Sequence, residues 1–467
     1  MRQLLSGIFI VLSFTQTWAQ PGDTVHYHLS YQPGSKYIQV RYSFPAIKDK
    51  SINFVIPRSA PGTYDLTDYS LFFEKLTAAT DNAEHIAGKK SMGSYFEFLS
   101  PDAPITSISY HVAIEKMENQ LHGAYASSKV RPNYLGMLGY AVFGFLKPLQ
   151  NNPVKLTIET ASDWPIFSTL APKMNRSYGK ANFEATNFDI LADGQYLLGE
   201  GVKIWQGKAG TMPLFVALYT ETEANIEEIG RRGLLALEGV QKYFGFVPMP
   251  HYVMCYEYLI PKSSNHLYNF SMEHLNSMTS SLDTSRAIIS YEENPRLGGA
   301  IHHMGHSWIP LRCYGEGYRP FDWETAPLIE TIWLNEGFIW YISGYKIIGS
   351  STILDRFRNT ITTAPDFINK KSLRELSLLG STQYSKDFRI GQNLFSRGAL
   401  MAYEMDEYIQ KQSNGTKTFK DAVINLYRWS EKHRRAFDYE EILTILSDGA
   451  GVDLSPVWEK WQKPVKE

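Results

Sequence analysis

Two histidines and a distant glutamate have the residue types and the spacing of a metal site. His302 and His306 are one helical turn apart, so on a helix they share one face. Glu336 follows later in the chain, after an apolar run. Two imidazoles and one carboxylate are a recurrent ligand set for Zn²⁺ in sites that keep a fourth position open. These three residues therefore predict a zinc site.

The residue after His302 decides which chemistry such a site supports. In hydrolytic zinc sites with this histidine spacing, a glutamate stands there and acts as the general base. This chain has His303 instead. A histidine can accept a proton near neutral pH, but a neighbouring metal ion disfavours its charged form. His303 is interpreted either as a filler in a site that has lost its base or as a replacement base. A role as fourth ligand is disfavoured, because adjacent helical positions diverge by about 100°.

The surrounding residues favour a functional site over an ordinary polar helix face. The predicted helix 295–309 contains Gly298, Gly299 and Gly305, and each glycine lowers helix stability by about 1 kcal/mol relative to alanine. A sequence selected for helix stability alone would avoid them. Glu336 follows a run that is apolar enough to be buried, and a buried carboxylate needs a partner.

The rest of the chain divides into a strand-rich part and a mixed part. Short alternating runs separated by turn residues predict an antiparallel sandwich before residue 205. Its strands are predicted at 36–42, 52–56, 108–114 and 154–159. Beyond residue 205, helical spacing of apolar residues and one alternating run predict several helices and a strand. The helices are predicted at 222–244, 295–309, 325–347, 390–412, 417–432, 438–448 and 455–462, and the strand at 252–259.

These elements predict an α+β multidomain fold. Residues 20–205 are assigned to an N-terminal β-sandwich-like domain, and residues 206–467 to an α/β domain. The second domain is expected to end in a helical bundle that spans residues 345–467. A hydrophobic content of 43% with 20% charged residues is typical of globular proteins. The net charge of −2 excludes the strongly basic character of most nucleic-acid-binding domains.

Residues 1–19 have the pattern of a signal peptide. Arg2, the apolar run from Leu4 to Phe14 and the small residue Ala19 supply its charged, hydrophobic and cleavage regions. No later apolar run approaches the roughly 20 residues that a membrane-spanning helix needs. We therefore expect an exported protein, periplasmic or secreted, with no membrane span after cleavage. In that compartment its two cysteines form either a disulfide or two buried free thiols.

The motifs around the predicted zinc site resemble the glycyl aminopeptidase family of metallopeptidases. The family pattern is His-Glu-x-x-His, then Trp, then Pro-Phe-Asp, then Trp-x-x-Glu-Gly-Phe. Apart from the first glutamate, it is matched at 302–306, 308, 320–322 and 333–338. Three further segments are similar to family signatures. They are the proline-glycine-tyrosine segment at 56–64, the Gly-x-Glu-His-x-x-Ser segment at 271–277 and the Lys-Gly-Ala-Leu segment at 397–400.

The resemblance implies a β domain followed by a thermolysin-like catalytic domain that binds Zn²⁺ through His302, His306 and Glu336. It also implies that Glu273 binds the free α-amino group of a substrate, so peptide or protein N-termini are the expected partners. The family's C-terminal PDZ domain is not expected, because the sequence ends soon after Trp461.

This chain departs from the family pattern at a second position. In related aminopeptidases, a tyrosine that stabilises the oxyanion precedes the Lys-Gly pair, and here Phe395 stands at that position. Phenylalanine has no hydroxyl, and Tyr384 upstream has the wrong spacing. We therefore expect a pseudopeptidase that keeps its zinc ligands and binds peptides with weak or no turnover. The alternatives are an active zinc aminopeptidase with His303 as base, and a scaffold or binding protein without metal.

Overall fold

The computed structural model describes residues 23–100, 102–122, 127–284 and 297–465. The fold is mixed α+β, as predicted, with a strand-rich N-terminal part, a mixed middle part and a helical C-terminal region. The predicted signal peptide and the first residues of the predicted helix 295–309 lie outside the described residues. None of the helices in these ranges has both the length and the apolar character that a membrane span requires.

In the N-terminal part, the described residues form three sheets. The largest contains, in spatial order, Lys180–Ala185, Val154–Glu159, Val25–Ser30, Tyr37–Ile47, Ile105–Ala113, Phe73–Thr80 and His85–Ala87. The second contains Ser177–Tyr178, Pro165–Ser168, Gln195–Leu198, Tyr134–Leu138 and Lys129–Arg131. The third contains Phe145–Leu146, Ser51–Val55, Tyr95–Leu99 and Lys89–Lys90. Short helices lie between strands at Ile114–Leu121, Gly139–Val142 and Phe188–Asp193.

The four predicted N-terminal strands are confirmed, and among the described strands of this part the predicted antiparallel pairing has one exception. Val25–Ser30 pairs in parallel with Val154–Glu159. Parallel neighbours need a long connection, and most of the N-terminal part lies between these two strands. Within Tyr37–Ile47, buried and exposed residues alternate as the sequence pattern predicts, so one face of this sheet covers the core.

In the middle part, the described residues form a five-stranded sheet that packs against helices. Its strands, in spatial order, are Lys203–Ala209, Met212–Thr220, Tyr252–Leu259, Ser277–Asp283 and Asn269–His274. The edge strand Asn269–His274 carries Glu273, so this strand brings the predicted amino-group ligand to the edge of the sheet. Cys255 and Cys313 are both buried free thiols, as the second of the two interpretations predicted.

Each predicted helix of the middle and C-terminal parts has a counterpart, whereas the helices Thr352–Thr362, Asp366–Asn369 and Leu373–Gln383 were not predicted individually and the start of one predicted helix is misplaced. The helices of these parts span Ile226–Phe244, Leu297–His306, Ile332–Trp340, Thr352–Thr362, Asp366–Asn369, Leu373–Gln383, Phe388–Gln412, Phe419–His433, Ile442–Ala450 and Ser455–Gln462. A π-helical segment at Tyr341–Ile347 directly follows the helix Ile332–Trp340. Short 3₁₀ turns lie at Tyr69–Phe72, Lys147–Leu149 and Tyr439–Glu441.

The predicted helix 325–347 is the one whose start is wrong. The helix begins at Ile332 instead. Pro327 disfavours helical conformation in the residue before it and has no backbone N–H to donate. The Ile329 N–H donates to the Ser381 hydroxyl at 2.9 Å, so this stretch is held as a loop against a neighbouring helix.

Each part of the chain contributes side chains to the core of the other. Tyr64 belongs by sequence to the strand-rich part, but it lies in the core of the middle and helical parts. Phe321 and Trp323 come from the later part and lie in the core of the first. The Trp323 indole donates to Asp189 at 2.7 Å, and the Trp323 carbonyl accepts the Arg58 N–H at 2.7 Å. This reciprocal insertion fixes how the two parts meet.

A buried ion cluster also joins the two parts. The Glu118 carboxylate is fully buried and accepts hydrogen bonds from Arg131 at 2.9 Å, Lys262 at 2.8 Å and Tyr268 at 2.7 Å. Arg131 also pairs with Glu221. Burial disfavours the charged form of Glu118, but the hydrogen bonds and charges of Arg131 and Lys262 outweigh it and lower its pKa to about 2.

We predict that Glu118→Gln makes the stability of the protein less dependent on acid pH. The pKa of this carboxyl is about 2 in the folded protein, against an ordinary value of 4.5. The ionised form therefore stabilises the fold above pH 4.5 by about 3 kcal/mol, and this contribution is lost as the pH falls through 4.5 toward 2.

Urea unfolding at pH 7 and pH 3 measures the effect. The Glu118→Gln variant should be less stable than wild type at pH 7 and should lose less stability on acidification. Glu115→Gln, which removes a half-exposed carboxylate on the same helix, should behave as wild type. An equal loss in the Glu118 variant and wild type would contradict the prediction.

Candidate metal centre

Two helices bring the predicted metal ligands together. Leu297–His306 presents His302 and His306 on one face, and Ile332–Trp340 carries Glu336 beside them. All three residues are buried, and their ligand atoms lie within 4.8 Å of one another. The spacing that suggested a shared face in the sequence therefore corresponds to a compact group of donors.

The distances within this group fit a metal ion. His302 Nε2 lies 2.9 Å from His306 Nε2, and Glu336 Oε2 lies 3.2 Å and 3.4 Å from them. Two imidazole nitrogens at this distance repel each other unless a proton or a cation lies between them. Zinc–nitrogen bonds of about 2.0–2.1 Å at tetrahedral angles place two ligand nitrogens about 3.3 Å apart. A small outward shift of the two rings therefore accommodates the ion.

The protonation of the two imidazoles also fits a site that exchanges a proton for a metal. Burial and the neighbouring His306 lower the pKa of His302 to about 4. Burial opposes the charged form of His306 as well, but the carboxylates of Glu273 and Glu336 outweigh it and raise the pKa to about 9. One proton is therefore held in the group, and a divalent cation would displace it.

Contacts with residues outside the ligand group orient the two histidines. His306 Nδ1 lies 2.9 Å from the Ile309 carbonyl, which makes Nδ1 the donor and makes Nε2 the atom that would bind a metal once its proton is displaced. The His302 ring stacks on Trp340 with its centroid 4.3 Å away. Both rings are therefore fixed with Nε2 directed to the same point.

Glu336 divides its two oxygens between two partners. Oε2 faces the histidines, whereas Oε1 accepts a long hydrogen bond of 3.3 Å from the Tyr64 hydroxyl. Burial and the charge of Glu336 raise the pKa of Tyr64 well above its ordinary value, so this hydroxyl keeps its proton and donates it. Sequence reasoning gave Tyr64 no role beyond its family motif, because 272 positions separate it from Glu336.

His303 lies away from the metal ligands and against Glu273. Its Nδ1 is 3.5 Å from Glu273 Oε2, and its ring centroid is 5.5 Å from that of His302. Burial raises the pKa of Glu273, but the charges of the facing histidines outweigh it, so the carboxylate is held ionised. Glu273 Oε1 is buried and has no hydrogen-bond partner among the described residues.

Phe395 lies in an aromatic cluster beside the site. Its ring is 5.8 Å from Tyr384, 6.0 Å from Phe388 and 6.1 Å from Trp340, centroid to centroid. The Tyr384 ring in turn lies 5.3 Å from Tyr64. Tyr384 therefore belongs to the same aromatic cluster as Phe395, although its spacing in the sequence excluded it as the oxyanion donor.

Comparison with known families identifies the first part of the chain. Residues 26–200 match the peptidase M61 N-terminal domain. The N-terminal part of this chain is therefore similar to the M61 N-terminal domain. The match agrees with the resemblance seen in the motifs, and Gly62 and Tyr64 lie within the matched residues, whereas the metal-site helices lie outside them. No curated protein matches the sequence significantly.

Solved structures extend the similarity to the whole described chain. An aminopeptidase N family protein from Idiomarina loihiensis has a TM-score of 0.77 and 18% identity, over 95% of this chain and 76% of that one. The M1 zinc metallopeptidase from Deinococcus radiodurans has a TM-score of 0.58 and 13% identity, over 96% of both chains. A mutant of that metallopeptidase bound to the substrate Tyr-Ser-Ala has a TM-score of 0.56 and 12% identity, over 96% and 95%. The chain therefore has the fold of aminopeptidase-like zinc metallopeptidases.

We predict that Gly62→Ala destabilises the protein more than Gly34→Ala does. The two glycines have nearly equal positive φ angles, +85° and +83°, so alanine adds about 1–2 kcal/mol of backbone strain at either position. A Cβ at position 62 would lie 2.4 Å from Glu273 Oε1, whereas a Cβ at position 34 meets nothing within 4 Å. Thermal unfolding of both variants measures the difference in stability. Equal losses of stability would show that the backbone at Gly62 is not packed on Glu273.

Proposed function

We propose that this protein is an exported homologue of the glycyl aminopeptidases that binds zinc and peptide N-termini with weak or no hydrolysis. His302, His306 and Glu336 would hold the ion. The observation that carries the proposal is the contrast between these converging ligands and their neighbours at positions 303 and 395. Export is proposed from the signal-peptide pattern of residues 1–19.

The residues next to the ligands support weak turnover. A zinc ion in this position would supply Lewis acidity to the carbonyl group of a bound peptide. Hydrolysis also needs a base, and loss of a general base typically lowers the rate by about 10²–10⁴. His303 is turned toward Glu273, and Phe395 has no hydrogen to donate to an oxyanion. Loss of one oxyanion donor costs about a further 3–4 kcal/mol.

Glu273 supports the binding of an amino terminus. Its carboxylate is buried and ionised, and one of its oxygens lacks a partner among the described residues. An α-ammonium group would satisfy this oxygen with a charge-assisted hydrogen bond. The Gly62 backbone packs on one side of the carboxylate and His303 lies on another, so the amine would have to enter a narrow space.

One contact favours a second candidate function, an active zinc aminopeptidase with His303 as base. A carboxylate beside an imidazole orients the ring, and Glu273 Oε2 lies 3.5 Å from His303 Nδ1. Under this alternative, an unmodified protein would hydrolyse aminoacyl substrates and His303→Ala would abolish the activity.

We predict that the double variant His303→Glu/Phe395→Tyr gains aminopeptidase activity on glycyl and alanyl substrates. The substitutions return a carboxylate base and a phenolic donor, so the rate should rise by at least about 10²-fold over wild type. Hydrolysis of glycyl- and alanyl-p-nitroanilide measures it, with zinc content determined on the same samples. Wild type should hold one zinc ion per chain.

A triple variant that adds His306→Ala removes one ligand and serves as the control, because it should lose both the zinc and the gained activity. High activity of the unmodified protein would contradict the proposal, and its loss in His303→Ala would then support the second candidate. A wild-type protein that takes up no zinc would instead favour a scaffold without metal.

A further inference from the structure

The loop at 58–64 of the M61 N-terminal domain reaches into the metal centre of the other domain. Gly62 packs against Glu273, and Tyr64 reaches Glu336. Tyr64 has a φ of +45°, a conformation that is uncommon for a residue with a side chain. Backbone in this region persists only where the surrounding structure holds it, and it recurs at functional sites.

The loop is held from both ends. The Arg58 N–H donates to the Trp323 carbonyl at 2.7 Å, and the Arg58 carbonyl accepts the Thr67 N–H at 2.7 Å. Within the loop, the Thr63 hydroxyl donates to the Ala60 carbonyl at 2.7 Å. The position of the Tyr64 hydroxyl is therefore set by the docking of one domain on the other.

We propose that Tyr64 is a positioning residue for the metal ligand Glu336, so that both domains together build the zinc site. The inference rests on the proposed binding of zinc at His302, His306 and Glu336. The Tyr64 hydroxyl occupies Oε1 and leaves Oε2 as the single carboxylate atom that faces the histidines. A carboxylate with one oxygen held by a hydroxyl binds a metal through the other oxygen alone.

Two consequences follow for the metal. A hydrogen-bonded partner of a metal ligand typically contributes 10–100-fold to metal affinity, so zinc binding should depend on this one hydroxyl. Without it, Oε1 would be free to turn toward the ion and to bind it beside Oε2. The N-terminal domain would thus control both the affinity and the geometry of a site whose three ligands it does not supply.

The test compares zinc and Co²⁺ binding by wild type, Tyr64→Phe and Tyr384→Phe. Tyr64→Phe removes the hydroxyl and keeps the buried ring. Tyr384→Phe removes the hydroxyl of the adjacent, partly buried ring, which makes no hydrogen bond to Glu336 among the described residues, and serves as the matched control. Competition with a chromophoric chelator gives the zinc Kd, and saturating zinc gives the stoichiometry. Thermal unfolding of the metal-free proteins shows whether each variant folds as wild type does.

We expect Tyr64→Phe to bind one zinc ion per chain with a Kd about 10–100-fold higher than wild type, while Tyr384→Phe keeps the wild-type Kd. The visible absorption of the Co²⁺ form should weaken in Tyr64→Phe, because five-coordinate Co²⁺ absorbs less than tetrahedral Co²⁺. If Tyr64→Phe binds one zinc ion per chain with the wild-type Kd and the wild-type Co²⁺ spectrum, the role of Tyr64 is overturned while the proposed function stands. A wild-type protein without zinc would overturn the proposed function and this inference together.

Discussion

The carboxylate of Glu336 is the group on which the arrangement of the site depends. It is 5% exposed, and a buried ionised carboxylate is stable only when its oxygens are paired. Burial raises its pKa, but the facing His306 and His302 outweigh burial and hold the pKa well below its ordinary value. One oxygen faces the histidines and the other faces Tyr64, so two helices and a loop from the other domain must converge on one residue.

This requirement gives a reason for the insertion of Tyr64, which is one half of a reciprocal exchange of side chains between the two parts. Tyr64 enters the core of the middle and helical parts, whereas Phe321 and Trp323 enter the core of the N-terminal part. The buried cluster around Glu118 holds the same interface at a second point. The chain has the fold of aminopeptidase-like zinc metallopeptidases. Under the proposed function, the residues at positions 303 and 395 determine how much hydrolysis this fold supports. Function in such a fold depends on individual site residues and not on the architecture.

Much of the architecture was predictable because local patterns determine it. The strand Tyr252–Leu259 and the helix Ser455–Gln462 have the bounds that alternation and helical spacing predicted. The helix Leu373–Gln383 was not predicted, although Ser372 and Glu375 form a capping box that marks its start. The start of the Glu336 helix was misplaced because the apolar pattern extends back over a stretch where Pro327 prevents a helix.

The site was predictable only where its residues are near one another in sequence or belong to a motif. The helical spacing of His302 and His306 predicts a shared face, and the structure brings Glu336 to that face. The contact with Tyr64 spans 272 positions and joins two domains, so no local pattern contains it. Tyr384 shows the same limit, because its spacing from the Arg-Gly pair differs from the family pattern while its ring lies beside Phe395.

The most direct test of this account is anomalous diffraction at the zinc absorption edge from crystals of the zinc-loaded protein. The account predicts one strong peak between His302 Nε2, His306 Nε2 and Glu336 Oε2, with Glu336 Oε1 still bonded to the Tyr64 hydroxyl. A peak held by other residues, no peak at full zinc loading, or a Glu336 that binds the ion through both oxygens would contradict it.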